Sequence, residues 1–291
     1  MLLVVLAAAA QTARNAAQRS LVASAGTLGA TLTRFAWGLP FAAAWVGVLH
    51  ARGHDWPSLN PVYLGWVAAG ALTQLAGTAF LLAAMKERNF VVSVAYSKTD
   101  VLQVAVLGAV LLHEIPGVGT LVAMAVATGG VLLLSLPARA GAVEWGGAAA
   151  GWGIASGAGF AIAAVAYRAA ALALPGTSPW VSGAWTVLCA QVIQTVLLGG
   201  WLAWRAPQAL GALARAWRVS AAAGATGAAA SVGWFTAYAM TTAANVRTLG
   251  LVEMLFSYAV GRGLLRERLR GAEVAGLLLL GAGLLAMFAV A

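Results

Sequence analysis

The chain has 291 residues, 62% of them hydrophobic and 9% charged, with a mean hydropathy of +0.88 and a formal charge of +9. A soluble domain carries about a quarter charged residues, so this composition excludes a water-soluble globule and makes lipid the solvent. The basic residues stand singly between apolar runs, without a basic-aromatic patch, which argues against a nucleic-acid partner and makes the charge a matter of membrane topology.

Spans of about 20 mostly apolar residues are needed to cross a bilayer. In chain order the sequence offers ten, at about 2–22, 26–49, 60–85, 89–112, 117–136, 147–171, 179–203, 218–242, 245–264 and 271–290. The start, MLLVVLAAAA, lacks a basic flank and runs straight into further spans, so it reads as a retained helix, with a cleaved signal as the alternative. The junctions are short and marked by Pro, Gly or charge. The single Cys189 excludes an intramolecular disulfide and a thiolate metal site. No metal or cofactor is expected.

The stretch 80–134 is written twice. Phe80 and Met85 match Phe235 and Met240 at an offset of 155, while Glu114 matches Glu267 and Gly130 matches Gly283 at an offset of 153. Two residues are therefore missing from the second copy. The repeat divides the chain into 1–136 and 146–291 around a linker at 137–145, with five spans in each half. Five is odd, so the second copy enters the membrane from the opposite face. The expected fold is all-α, with ten transmembrane helices as two inverted five-helix repeats around a central cavity.

Orientation follows from Lys and Arg. One set of alternate junctions holds eleven of them, from Arg19 to Arg270; the other set holds three, Arg52, Arg168 and Arg247. That bias places the first set in the cytoplasm and both termini outside it. Trp56, Trp145, Trp180, Trp201, Trp204 and Trp217 fall near span ends, where amphipathic rings favour the interface.

Polar groups inside spans are costly and face protein or water. In the first span Gln11, Arg14, Asn15 and Gln18 make one helical stripe, expected to line a cavity with Arg14 available to a carboxylate; a helix–helix polar contact is the competing reading. In the fourth span Tyr96, Asp100 and Gln103 share a face, with Lys98 pointing elsewhere. In the ninth, Glu253 shares a face with Gly250, Phe256 and Ser257, and by the repeat offset it corresponds to Lys98. A buried carboxylate pairs with a cation or takes up a proton, so Asp100, Glu253 and Lys98 are candidates for coupling protons to transport, against the alternative of structural ion pairs. Trp152, Trp185, Trp234 and Tyr238 are candidates for an aromatic cavity wall. Arg34 reads as reaching toward an interface, and Gly151, Gly157 and Gly227 as helix-packing positions.

The paired hairpins, a helix ending in LLHE or LLRE, a short turn and a glycine-containing helix, resemble the EamA-type repeat of the drug/metabolite transporter superfamily. The resemblance covers essentially the whole chain. It implies a ten-helix basket in the bacterial inner membrane, exporting amino acids, aromatic ones among them, or related small amphiphilic metabolites. It also implies a small-molecule substrate and membrane lipid as partners, as a monomer or homodimer, and no enzyme activity. A multidrug exporter of cationic compounds is the runner-up. An integral-membrane lipid-modifying enzyme is disfavoured, because the eight acidic residues are scattered and form no catalytic group.

Overall fold

The computed structural model describes residues 1–87, 96–134, 147–265 and 271–290. Among them every regular element is a helix: α1 (Leu2–Ala36), α2 (Leu39–Ala51), α3 (Pro61–Glu87), α4 (Asp100–Leu112), α5 (Val118–Leu134), α6 (Gly147–Leu172), α7 (Pro179–Arg205), α8 (Pro207–Arg215), α9 (Trp217–Met240), α10 (Ala243–Gly250), α11 (Val252–Leu265) and α12 (Gly271–Val290). Five helical runs are long and apolar enough to cross a membrane: Leu2–Ala51, Pro61–Ala84, Ala150–Leu172, Pro179–Arg205 and Gly271–Val290. Two shorter apolar helices are Asp100–Leu112 and Val118–Leu134. Arg88, Arg139, Arg266, Glu267, Arg268 and Arg270, used above for orientation or for the repeat, lie outside the described residues.

The chain divides into two compact units, each drawing on both halves of the sequence. Unit I comprises Leu72–Ala166 and Thr241–Ala291 with Met1; unit II comprises Leu2–Ala71 and Tyr167–Met240. The division falls inside α3 and inside α6. It is a partition of contacts and differs in kind from the repeat, which is a partition of sequence.

In unit II, α1 is a hairpin. Residues 18 and 30 of a straight helix stand about 18 Å apart, well beyond the reach of a glutamine. Yet the Gln18 side-chain amide donates to the Ala30 carbonyl at 2.6 Å. The chain reverses at Gly26, whose φ of 69° and ψ of 171° belong to a region essentially reserved for glycine. The two arms agree with the division expected between the first two spans. The second of these is itself interrupted at Trp37–Gly38, and α2 begins beyond it with Pro40 in its first turn, where a missing N–H costs nothing.

Local chemistry fixes the other ends. Asn60 accepts a bond from the Tyr63 backbone N–H at 2.8 Å and donates to the Ala173 carbonyl at 2.7 Å, so one amide caps α3 and ties it to the chain following α6. Ser178 caps α7 by accepting from Val181 N–H at 3.3 Å. The junction between the seventh and eighth expected spans is not a plain loop: it holds α8, whose Ala209, Ala212 and Leu213 pack against Leu21, Ala25, Ala30, Leu32 and Leu202. Leu32 lies by Gly199, Gly38 by Gln191, and Val46 and Leu49 pack with Val181 and Ala184. Residue numbers rise on one side as they fall on the other, so this part of the chain and α7 run antiparallel.

In unit I, α5 and α12 cross on glycines. A Cβ placed on Gly130 would stand 2.7 Å from the Gly276 carbonyl oxygen, and one on Gly283 would stand 2.7 Å from Ala127 Cα. Gly119 lies against Val290. These helices are also antiparallel, and the contact is reciprocal: Gly130 meets the turn of α12 that matches, at an offset of 153, the turn of α5 met by Gly283. Only a missing side chain permits backbones this close.

Candidate functional site

Unit I places Lys98, Asp100, Arg247 and Glu253 around two turns between helices. The expected fourth span is broken at Lys98–Thr99, where a turn precedes α4. The expected ninth span is broken at Leu251, between α10 and α11. Each following helix carries a carboxylate in its first turn, Asp100 on α4 and Glu253 on α11, where the exposed N–H groups and the helix dipole favour negative charge. By the offset of 153 that matches Glu114 to Glu267, Asp100 corresponds to Glu253; by the offset of 155 that matches Phe80 to Phe235, Lys98 does.

Each carboxylate meets a cation from a segment about 150 residues away in the sequence. Asp100, 1% exposed, pairs with the Arg247 guanidinium of α10. Lys98 Nζ lies 4.0 Å from Glu253 Oε2. Placing Arg247 in a junction was thus wrong; it sits on a helix, and the signal missed was a lone arginine four residues before a helix break.

Thr99 and Leu251 both keep right-handed helical backbone angles, so each break is a tight turn rather than a departure from helical φ and ψ. Gln103 turns back to Thr99, donating to its hydroxyl at 2.9 Å, and Gly157 of α6 presses on Ser97, Thr99 and Gln103. The Ser97 and Ser156 hydroxyls share a hydrogen bond of 3.1 Å. Tyr96 is half-buried, and its carbonyl accepts from the Thr99 hydroxyl at 2.7 Å. Trp152 is partly exposed and stacks on Phe80 at 5.6 Å between ring centres. The side chain of Ser257 lies outside the described residues. Gly151 faces open space, so the packing role read for it is not seen, whereas Gly157 and Gly227 do pack.

In unit II the first-helix stripe is used piece by piece. Gln11 accepts from the Trp234 indole N–H at 3.0 Å. Arg14 is buried and donates to the Asn15 side-chain oxygen through both Nη2, at 2.7 Å, and Nε, at 3.2 Å, although Asn15 itself is exposed. Gln18 closes the hairpin, as described. Trp234 and Tyr238 are buried on α9 together with Phe235, whose ring lies 4.1 Å from that of Tyr167. Trp185 joins a different cluster: its indole N–H donates to His50 Nε2 at 3.3 Å, and its ring lies 5.1 Å from that of Trp56. Arg168 is not a junction residue either; it lies on α6 and donates to the Tyr238 carbonyl at 2.9 Å, satisfying the end of α9.

Arg34, given no role beyond its interface from sequence, faces Arg14 across the hairpin. The Gln18–Ala30 bond sets the register, and one turn further from Gly26 that register places 14 opposite 34. Gly227 of α9 fits between them: a Cβ there would stand 3.2 Å from Arg14 Cδ and 3.3 Å from Arg34 Cβ. Among the described residues no group of His, Cys, Asp and Glu is arranged to hold a metal ion.

No protein-family model matches this chain, and no curated protein does. A solved protein crystal structure is similar over 98% of this chain and 94% of its own, with a TM-score of 0.70 and 17% identity. At that identity the likeness bears on the fold alone.

Proposed function

We propose that this chain is a secondary transporter of the EamA type, exporting amino acids or related small amphiphilic metabolites by alternating access between two inverted five-helix repeats. The observation that carries this reading is the crossed pair of ion pairs at matching helix breaks, Asp100 with Arg247 and Lys98 with Glu253. Interrupted helices whose half-helix ends meet charges are how transporters place ion and substrate sites in lipid. The antiparallel, reciprocal packing of α5 and α12 supports inversion, because the two helices are equivalent members of the repeats.

In this reading Asp100 and Glu253 couple protons to transport. When a carboxylate takes up a proton, its cation is released, and the half-helices it joined are free to part. The chain resides in a bacterial inner membrane, with both termini outside the cytoplasm.

The test is flux. Purified protein in vesicles is expected to move members of a panel of labelled amino acids, and D100N is expected to change the dependence of that flux on a proton gradient. Vesicles that move cationic drugs and no amino acid would favour a multidrug exporter, and vesicles that move neither count against transport altogether.

A further inference from the structure

We propose that Arg34, with Arg14 facing it across the α1 hairpin, binds the carboxylate of a small amphiphilic molecule. That the molecule is cargo rests on the transporter reading; that the site binds a carboxylate does not.

The argument begins with cost. A guanidinium inside an apolar span is expensive, and two close together repel as well. Unit II contains one carboxylate, Asp55, and it is exposed in the segment between α2 and α3. Arg34 Nε and Nη2 are both buried and hydrogen-bond to nothing among the described residues. The guanidinium lies 4.4 Å from the centre of the Phe35 ring, and Arg14 and the Tyr167 phenol are within electrostatic reach of it. The open fork is that of Arg34, whose Nε and Nη2 suit a planar oxyanion accepting parallel N–H bonds, while Arg14, its Nε and Nη2 on Asn15, adds positive charge beside it.

The neighbours suit a carboxylate carrying an apolar body better than inorganic phosphate. Tyr167, Phe235 and Tyr238 form an aromatic run, with centroids 4.1 and 6.3 Å apart along it. Trp234, on the same helix as Phe235, is held by Gln11, three residues before Arg14. Gly227 is what lets both arginine stems approach α9.

The experiment uses the full chain in lipid nanodiscs and phenylacetate as probe, with phenylacetamide as its uncharged counterpart. Phenylacetate is expected to bind and to raise the melting temperature, and phenylacetamide to do neither. R34Q is expected to weaken phenylacetate binding by about tenfold or more, the scale of one lost charge-assisted bond, with a smaller loss for R34K. R14Q should also weaken it. Equal responses to both probes overturn the proposal, as do undiminished binding by R34Q, or a response only to inorganic phosphate or only to phosphatidylglycerol. If R34Q does not fold, R34K decides, since it keeps the charge and loses the fork; unchanged affinity there overturns the proposal too. Binding without flux in vesicles counts against transport and leaves the site standing. Flux of phenylacetamide as fast as phenylacetate counts against the site and leaves transport standing.

Discussion

Unit I carries nine basic residues and seven acidic ones, whereas unit II carries eight basic residues, all arginine, and one acidic. Inside the spans the contrast sharpens. Lys98, Asp100, Arg247 and Glu253 form two ion pairs in unit I, while Arg14 and Arg34 face one another in unit II with no carboxylate beside them in that unit. A neutralised pair and a surplus of charge do different work. The pair holds two segments together until a proton or a movement releases it; the surplus favours whatever anion reaches it. Substitutions can separate these roles.

The largest effect is expected at Arg247. Its removal strands the Asp100 carboxylate in a buried site, and breaking a buried pair on one side costs about 3–5 kcal/mol. R247L should show that loss as a lower unfolding midpoint in detergent. The double variant D100N/R247L should recover most of it, because no unpaired carboxylate is left at position 100. If R247L unfolds like the parent, the pair does not hold unit I together.

Backbone comes next. Gly26→Ala puts a side chain where φ is 69° and ψ 171°, a conformation that costs about 1–3 kcal/mol for other residues. Gly130→Ala drives a methyl into the backbone of α12, at about 1–3 kcal/mol for overpacking, and Gly283→Ala should cost a similar amount because the contact is reciprocal. Gly129→Ala is the control, with open space at its Cβ. Gly227→Ala should cost less than Gly130→Ala, since arginine stems yield where a backbone cannot. Equal losses at 129 and 130 would mean the α5–α12 crossing is looser than drawn.

Much of this was legible beforehand. Hydropathy marked the long helices, and the duplication singled out Gly130 and Gly283, because a close helix crossing leaves its mark in one residue type at fixed spacing. Asp100 and Glu253 stood out because a carboxylate in an apolar run has few innocent explanations. The pairing partners were not legible. Arg247 looked like a loop charge because the hydropathy of an eight-residue helix ended by a break resembles that of a junction. Arg34 looked peripheral because its neighbour in space, Arg14, is brought to it by a reversal at one glycine, and a reversal inside a continuous apolar run gives no local signal. The register of the repeat is ambiguous by two residues between Phe80 and Glu114, because the offset is 155 at Phe80 and 153 at Glu114.

The smallest effect on stability and the sharpest test of roles meet at Lys98. Its ammonium lies 4.0 Å from Glu253, and the two side chains are 21% and 12% exposed, so this pair is looser and less enclosed than Asp100. A loose pair at that distance contributes on the order of 1 kcal/mol or less. K98Q should therefore move the unfolding midpoint little, while R247L moves it a great deal. If the pairs at the two breaks are latches that open in turn, K98Q should still alter proton-driven flux in vesicles by a larger factor than its effect on stability implies, since it removes one of the two charges that close the break. A flux change no larger than the stability change would make the Lys98–Glu253 pair a structural contact and leave Asp100 as the sole coupling group.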